Sequence, residues 1–377
     1  MSRFLSTFTS KNKRALLPLV ICVSLFALAV LAAGCAKSQS DDAVKQQLEK
    51  KALYGNVLAD AFFDKDILAR EKIQGRMVVT VSGESTSEPS THLLLLDFKN
   101  QSMRLLTKNT TWAASPKFLP SGKKIVFCTG DPACPRIAIL DLATGTQRFV
   151  SPDDGQPRYD PEPLSDTEVI VNVFPKNGQF YLARLDLTTG AETTLTIHIG
   201  TDRKHNYAIR ASEPTYDPSS GTLYFVSDRA VSGSMQPINI YALDLKTGEA
   251  TQVTHNKTLK TSKLNGETIA SPQFYDLDLA GPDTLIFGLR AIEKHNEQED
   301  PHFSGCEIHI ANLKEKSDRQ IFASDKPVRS PLKINDTYFA IFQQGENSLL
   351  FVNFENRADT FKVLSDIPLV GDADYRP

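Results

Sequence analysis

Three carboxylates are the side chains best suited to bind a metal ion in this sequence. Asp160 and Glu162 flank Pro161, and Glu213 directly precedes Pro214. Hard cations such as Ca²⁺ take several oxygen ligands. If neighbouring strands bring these residues together, they form a Ca²⁺ site; apart from this candidate, the sequence indicates no cofactor.

A second set of candidate ligands combines histidine and cysteine side chains, His295, His302, Cys306 and His309. Side chains of this kind bind zinc. However, residues 306–310 have the pattern of a strand, in which residues three apart point to opposite faces. Cys306 and His309 would therefore not converge, and a zinc site is not predicted.

The motifs of several large enzyme classes are missing from the sequence. It contains no Gly-x-Ser-x-Gly nucleophile motif and no glycine-rich phosphate-binding loop. A net charge of −3 gives no indication of nucleic-acid binding. A binding protein is therefore favoured over an enzyme. The alternative left open is a lyase that acts on an envelope glycan and uses His205.

Residues 1–34 are predicted to be a lipoprotein signal peptide. Basic residues precede an apolar stretch that ends in Ala33 and Gly34, directly before Cys35. This ending resembles a bacterial lipobox, although Ala32 stands where leucine is usual, and it implies cleavage before Cys35 and attachment of lipid, including palmitate. The alternative is an uncleaved transmembrane anchor, because about 20 apolar residues span a bilayer.

Both alternatives place the rest of the chain outside the cytoplasm and attach it to a membrane. Ala36 after the cysteine resembles lipoproteins sorted to the outer membrane, where the protein would face the periplasm of a diderm host. Residues 35–73 are predicted to be a lipidated tether. It contains a helix that begins after Asp42 and that either docks on the following domain or binds a partner.

Two cysteines flank a short turn between strand-like runs. Cys128 and Cys134 are separated by Thr-Gly-Asp-Pro-Ala. Because an exported chain can form disulfides, these two residues are predicted to close a hairpin disulfide. The role of Cys306 is left open.

Residues 74–377 contain two repeating markers of β-structure. The first is an apolar strand that ends in Asp or Asn before a turn, at Asp97, Asp141, Asp186, Asp244, Asn312 and Asn353. The second is a polar residue before proline in the innermost strand, at Ser115-Pro116, Asp160-Pro161, Glu213-Pro214, Ser271-Pro272 and Ser330-Pro331.

The first repeat has no innermost strand of its own ahead of it, whereas Arg376-Pro377 ends the chain with a sixth copy of the second marker. This offset predicts a ring that is closed when the C-terminal strand pairs with the first repeat. The sequence therefore predicts an all-β fold, a six-bladed β-propeller of four-stranded antiparallel blades with a short N-terminal helical tether.

These markers, together with the segments SPKFLPSGKKIVF and EPTYDPSSGTLYFVSDR, resemble the TolB-like (WD-like) propeller repeat over about residues 75–377. The resemblance implies the fold and does not imply a function. The short segment between Cys35 and the first repeat leaves no room for the N-terminal domain of TolB, and TolB is a soluble periplasmic protein. A role in the Tol–Pal system is therefore not inferred.

Period-two alternation predicts which residues face the central channel of such a propeller. They are Ser115, Lys117, Asp160, Glu162, Glu213, Thr215, Ser271, Gln273, Ser330 and Arg376. A second set of basic residues, at the channel mouth and on the long loops of one face, is predicted to bind a ligand. These residues are Arg158, Arg203, His205, Arg210, Arg229, Arg290, Arg329 and Arg376.

The arginines at the channel mouth would suit an anionic group. The long loops concentrate on one face, where functional variation is common. The predicted function is therefore a membrane-anchored, extracytoplasmic propeller that binds another envelope protein, a peptide or a glycan.

Overall fold

The computed structural model describes twelve segments between residues 65 and 377. They are 65–82, 90–107, 112–175, 180–199, 211–227, 239–254, 262–264, 267–269, 271–293, 302–343, 346–364 and 369–377. Within them six blades, each with four antiparallel strands, form a closed ring, so the predicted six-bladed β-propeller is confirmed. His198–Ile199 adds a fifth strand to one blade in parallel, and Ser262–Leu264 pairs with Glu267–Ile269 as a separate two-stranded sheet. No helix within these segments is long and apolar enough to span a bilayer.

The structure contains one short described helix and 27 described strands. In chain order they are α1 (Lys65–Arg70), β1 (Arg76–Ser82), β2 (Thr91–Asp97), β3 (Ser102–Leu105), β4 (Ala113–Phe118), β5 (Lys124–Asp131), β6 (Cys134–Asp141), β7 (Gln147–Phe149), β8 (Arg158–Pro163), β9 (Glu168–Val173), β10 (Tyr181–Asp186), β11 (Glu192–Thr194), β12 (His198–Ile199), β13 (Ala211–Asp217), β14 (Thr222–Ser227), β15 (Asn239–Asp244), β16 (Glu249–Gln252), β17 (Ser262–Leu264), β18 (Glu267–Ile269), β19 (Ser271–Gly281), β20 (Thr284–Glu293), β21 (His302–Asn312), β22 (Ser317–Ser324), β23 (Val328–Lys333), β24 (Tyr338–Gln343), β25 (Ser348–Asn353), β26 (Thr360–Leu364) and β27 (Leu369–Arg376).

Blade 1 is the only blade built from both ends of the propeller sequence. It contains β27, β1, β2 and β3, and the other blades follow as β4–β7, β8–β11, β13–β16, β19–β22 and β23–β26. The last strand pairs with the first in antiparallel register, from Arg76 opposite Arg376 to Val79 opposite Ala373. The predicted closure by the C-terminal strand is therefore confirmed, and it removes the open edges of a linear array.

The apolar core lies between neighbouring blades. Each core cluster joins two adjacent blades: Val169 and Val171 of blade 3, for example, pack with Val126 and Ile139 of blade 2. The second and third strands are rich in β-branched and aromatic residues, which suit a pleated, buried surface. Because a single blade cannot bury both faces, closing the ring is what completes the core.

The first sequence marker is explained by a repeated turn. Asp141 accepts hydrogen bonds from the backbone N–H groups of Ala143 and Thr144, both at 3.0 Å. The same side-chain bond to the residue three positions on recurs at Asp97, Asp186, Asp244, Asn312 and Asn353. Asp and Asn are selected here because their side chains hold the backbone of the turn.

The second marker reflects a bulge near the middle of the innermost strand. Five residues there adopt a left-handed backbone with φ between 47° and 52°, at Ser115, Asp160, Glu213, Asp276 and Ser330. Each lies where the pairing register with the second strand shifts. A bulge of this kind breaks the period-two alternation and re-aims side chains, which is common near functional sites.

Two predicted copies of this marker were wrong. In blade 5 the bulge lies at Asp276, whereas Ser271-Pro272 only begins the strand. In blade 1 the equivalent position is Asp372, and Arg376 lies beyond it, where its guanidinium donates to the carbonyl oxygens of Leu119 and Pro120. Arg376 therefore links blade 1 to blade 2 and does not face the channel.

The structure does not support the predicted disulfide. Cys128 and Cys134 are both free thiols, and Cys128 lies opposite Ile137 while Cys134 lies opposite Asp131. This register separates the two cysteines by three residues along the hairpin, or about 10 Å at ~3.3 Å per residue. Disulfides need Cα atoms within about 7 Å, so this hairpin cannot close one without moving its strands.

The chain approaches the propeller from the face that carries the connections between first and second strands, which we call the lower face. Helix α1 packs there through Leu68, and the Asn335 side chain of the β23–β24 connection donates to the carbonyl of Glu71. Of the predicted tether, residues 35–64, including the whole predicted helix, lie outside the described residues, as does the whole signal sequence.

Gly75 is a position where closure of the ring can be tested. Its φ is +89°, and a Cβ atom would lie 2.3 Å from the carbonyl oxygen of Arg376. Gly145 has a similar φ of +72° but no heavy atom within 4 Å of that position. We expect Gly145→Ala to cost about 1–2 kcal/mol in unfolding free energy from backbone strain alone. Gly75→Ala should cost more than about 3 kcal/mol in urea unfolding. Equal costs would contradict the closure described above.

Candidate functional site

The bulges place two stacked rings of side chains around the central channel. We call the residues at the bulge positions the upper ring: Ser115, Asp160, Glu213, Asp276, Ser330 and Asp372. The residues two positions further along each strand form the lower ring: Lys117, Glu162, Thr215, Asp278, Leu332 and Asp374. The whole upper ring, with Lys117, Asp278 and Leu332, lines a cavity of about 90 Å³.

Carboxylates dominate both rings. The upper ring contains Asp160, Glu213, Asp276 and Asp372, and the lower ring contains Glu162, Asp278 and Asp374. Within the part of the chain that the structure describes, the cations that form ion pairs with them are Lys117 and Arg329. Seven acidic groups thus face two basic groups in a buried channel.

Many of these carboxylates accept hydrogen bonds from the bulged backbone of the next blade. Asp374 accepts the N–H of Phe118 at 2.7 Å, and Glu162 accepts the N–H of Tyr216 at 2.9 Å. In the upper ring, Asp276 accepts the N–H of Ser330 at 2.8 Å. The acids therefore connect neighbouring blades, which is a structural role that any ligand-binding role must share.

Lys117 is the centre of the lower ring. Its ammonium nitrogen lies 3.7 Å from Glu162, 4.0 Å from Asp278 and 3.8 Å from Asp374. These carboxylates come from blades 3, 5 and 1, so alternate blades surround the cation. Burial would lower the pKa of Lys117, but the three carboxylates together raise it, and the ammonium remains charged. Each attraction is worth up to about 4 kcal/mol at an effective dielectric constant of 20, which offsets desolvation.

Arg329 plays a similar part for one acid of the upper ring. Its Nε and Nη2 atoms donate to the two carboxylate oxygens of Asp276 at 3.2 and 3.1 Å. Asp276 raises the pKa of Arg329, with further contributions from Asp372 and Glu213. This paired, fork-like contact fixes the guanidinium on Asp276.

The other three upper-ring acids have no cation within ion-pair distance among the described residues. Asp160 accepts hydrogen bonds from the Ser115 hydroxyl and the Asn172 amide, and Asp372 accepts the N–H of Ser115. The Oε2 atom of Glu213 is buried and has no hydrogen-bond partner among these residues. The upper ring therefore has unused capacity for positive charge.

The crowding of carboxyl groups raises their pKa values. Burial, together with Asp276 and Asp160, raises the pKa of Glu213 to about 8. Burial raises the pKa of Glu162 to about 7, although Lys117 opposes the shift. For the same reason the pKa of Asp372 and that of Asp374 both rise to about 6. At neutral pH the channel therefore holds protons that a cation could displace.

The predicted Ca²⁺ ligands do not form a metal site. Among the described residues no group of three or more His, Cys, Asp or Glu side chains is placed to hold a metal ion. Asp160 and Glu213 belong to the upper ring, whereas Glu162 belongs to the lower ring beside Lys117. Of the three, Glu162 alone pairs with a cation of the described residues, the ammonium group of Lys117.

Three of the predicted binding arginines have other roles or positions. Arg158 is 1% exposed and is bound by Asp154 and Glu192 within blade 3, away from the channel, because the bulge at Asp160 breaks the alternation. Arg290 lies over the ring of Tyr275, and Arg376 caps the lower face. Arg203, His205, Arg210 and Arg229 lie outside the described residues, as does Cys35.

Other predicted positions are less informative. The side chains of Ser271 and Gln273 lie outside the description, and the hydroxyl of Thr215 donates to the carbonyl of Leu277. His309 lies between Glu307 and Asp318, which raise its pKa to about 9 against the opposing effect of burial. Cys306 is buried on the same strand and does not meet it.

Sequence reasoning missed four channel acids, Asp276, Asp278, Asp372 and Asp374. The sequence does contain a signal for them. In Asp160-Pro161-Glu162 two acids flank one residue, and the same spacing recurs in Asp276-Leu277-Asp278 and Asp372-Ala373-Asp374. The missing proline hid the likeness, because the bulge at Asp276 has the same left-handed backbone without a following proline.

Solved structures with this architecture include two TolB proteins. No family model matches the chain. TolB from Acinetobacter baumannii superposes with a TM-score of 0.59 at 17% identity, over 83% of this chain and 70% of that one. Putative TolB from Agrobacterium tumefaciens gives 0.51 at 12% identity, over 81% and 99%. Hydrazine synthase from Kuenenia stuttgartiensis gives 0.59 at 12% identity, over 81% of this chain and 47% of that one. The fold is therefore that of the TolB-like propellers, and at these identities the similarity shows the fold alone.

The raised pKa values predict how stability depends on pH. A carboxyl group whose pKa rises on folding binds more protons in the folded than in the unfolded state, so stability falls as pH rises through this range. We expect the unfolding free energy to decrease by about 1–3 kcal/mol between pH 5 and pH 8 in urea titrations.

Two variants separate the channel from the surface. Glu213→Gln should flatten the profile above pH 6, because the pKa of Glu213 is about 8. Glu355→Gln, whose side chain is 81% exposed, should leave the profile unchanged. Stability that increases steadily from pH 5 to pH 8 would show that the channel acids are not perturbed as described.

Proposed function

We propose that this protein is a binding module of the cell envelope whose upper channel mouth takes up a cationic group of a partner protein or peptide. The observation that carries the proposal is the imbalance of charge in the channel. The upper ring contains four carboxylates, and Arg329 pairs with one of them. Buried charges are normally paired, so acids without a cation either stay protonated or release the proton when a positive group from outside binds.

The charge of the mouth decides between ligand classes. The sequence suggested an anionic ligand bound by arginines, but Arg158 and Arg376 are engaged elsewhere and Arg329 is held by Asp276. An anionic glycan would therefore meet carboxylates. A lysine, an arginine or an amino terminus of a protein partner meets complementary charge, which also speeds association.

The size of the cavity limits how much of a partner can enter. About 90 Å³ corresponds to roughly three water molecules. That space accepts the charged end of one side chain, while the rest of the partner would lie on the face around the mouth. The long loops predicted from the sequence lie mostly outside the described residues, and in this proposal they contribute the remaining contacts.

The path of the chain supports an anchor on the opposite face. Gln74 and Gly75 precede β1 at the lower face, where the Tyr375 hydroxyl donates to the carbonyl of Gln74. A lipid on Cys35 would therefore attach through a tether that reaches the lower face. In the proposed arrangement the upper mouth stays accessible in the periplasm of a diderm host.

The alternative of a glycan lyase has less support. It depends on His205, which lies outside the described residues, and no described histidine lines the cavity. In the described channel the ammonium group of Lys117 is paired with carboxylates, so it is not free to act on a substrate. Turnover of an oligosaccharide by the purified protein would overturn this preference.

Partner capture tests the proposed function. We expect crosslinking in intact cells, followed by mass spectrometry, to identify one main protein partner of the unaltered chain. The double variant Glu213→Gln, Asp372→Asn should recover that partner at least tenfold less, because both acids face the mouth. Glu355→Gln serves as a control on the exposed surface and should recover it fully. Equal recovery by the channel variant, with its fold verified by circular dichroism, would contradict the proposal.

The lipid anchor has a separate test. Cys35→Ala should abolish labelling by radioactive palmitate and should move the protein from the membrane fraction to the soluble fraction. An unaltered protein that takes up no palmitate label yet stays in the membrane fraction would indicate an uncleaved transmembrane anchor instead.

A further inference from the structure

The two rings of the channel share one arrangement of acids. Blades 1, 3 and 5 each supply a pair of carboxylates two residues apart, as Asp372 with Asp374, Asp160 with Glu162, and Asp276 with Asp278. One acid of each pair lies in the lower ring, and these three acids surround the ammonium group of Lys117. The lower ring therefore shows that this channel can bind one ammonium group between three separate carboxylates.

The upper ring contains four carboxylates, of which Asp276 forms an ion pair with Arg329. The other three, Asp160, Glu213 and Asp372, have no cation within ion-pair distance among the described residues; we call them the upper triad. All three line the cavity. The buried Oε2 atom of Glu213 has no hydrogen-bond partner among the described residues. In the lower ring, Glu162 is 8% exposed and its Oε2 atom likewise lacks one.

We propose that the upper triad is a site for a single primary ammonium group, a lysine side chain or an amino terminus, bound above Lys117 in the way that the lower ring holds Lys117 itself. This inference rests on the proposed function and narrows its partner from a cationic group to a primary amine. The ammonium enters from the upper face, because Lys117 occupies the lower ring.

The geometry of the acceptors selects an ammonium over a guanidinium group. A guanidinium binds best as a planar fork on one carboxylate, as Arg329 does on Asp276. Both oxygens of Asp160 already accept one hydrogen bond each, from Ser115 and Asn172, which leaves less room for a fork on that carboxylate. An ammonium has three diverging donors, one for each carboxylate of the upper triad.

The same geometry selects against a divalent metal ion. Ca²⁺ needs six to eight oxygens at about 2.3–2.6 Å. The described residues show no group of three acids placed at such distances, and the ammonium of Lys117 would repel a second, doubly charged cation nearby. Around Lys117 the nitrogen-to-oxygen distances are 3.7–4.0 Å, which are ion-pair distances and are longer than Ca²⁺–oxygen bonds.

Small cations test this site on the purified full chain without any partner. The probe is n-propylammonium, which matches the lysine side chain beyond Cβ, measured by isothermal titration calorimetry at pH 8 and low salt. We expect saturable binding of one equivalent, with at least tenfold weaker binding of tetramethylammonium, which has no N–H donor. Methylguanidinium and Ca²⁺ should also bind at least tenfold more weakly. Equal or tighter binding of any of the three would overturn the proposal.

Variants then locate the site. Asp160→Asn should weaken n-propylammonium binding at least tenfold, whereas Asp336→Asn, a change at a 97% exposed side chain, should not. Lys117→Ala should raise the stoichiometry from one to two, because it vacates the lower ring. A stoichiometry that stays at one in a folded Lys117→Ala protein would contradict the likeness between the rings. If that variant does not fold, two measurements still test the site: the cation selectivity of the unaltered protein and the n-propylammonium affinity of Asp160→Asn.

The outcomes also separate this inference from the proposed function. Selective ammonium binding combined with normal partner capture by the channel variants would overturn only the proposed function. Loss of partner capture in those variants, without selectivity for n-propylammonium, would overturn only the ammonium site.

Discussion

Buried carboxylates that accept the backbone N–H groups of the next blade are the interaction on which this channel depends. Several bulges turn N–H groups towards the axis, where acids from the neighbouring blade accept them, as Asp374 does for Phe118 and Glu162 does for Tyr216. Taking such charges out of water costs several kcal/mol per ion. The protein offsets this cost with hydrogen bonds, with two internal cations and by keeping some carboxyl groups protonated. Function and stability are therefore coupled, because the acids left without a cation are also part of the inter-blade contacts.

The fold could be predicted from the sequence because its repeats are local. The turn at Asp141 and its five equivalents needs only an Asp or Asn side chain and the next few residues, so it leaves a readable mark in every blade. The offset between the first repeat and the last strand also predicted the closure of β27 on β1. Both features depend on neighbours in sequence or on simple counting of repeats, and neither depends on the exact direction of a side chain.

The site could be predicted only in part because it depends on side-chain direction. Asp160, Glu213 and Lys117 were placed in the channel by their position beside proline. Arg158 was predicted at the channel mouth, but it forms ion pairs inside blade 3, next to the bulge at Asp160. Asp276 and Asp372 were missed because proline was taken as the mark of the bulge. The sequence suggested an anionic ligand because the arginines were counted and these acids were not, whereas the proposed ligand is cationic.

The central claim is that the channel holds more carboxylates than its own cations can neutralise. The most direct measurement is a pH titration of the carboxyl carbons of ¹³C-labelled Asp and Glu side chains by NMR, with Glu213 assigned through its Gln variant. The account predicts that the pKa of Glu213 is about 8 and that of Glu162 about 7, whereas exposed acids titrate near pH 4. If the channel carboxyl groups all titrate near pH 4 together with the exposed ones, they are not short of positive charge, and the basis for a cation site is lost.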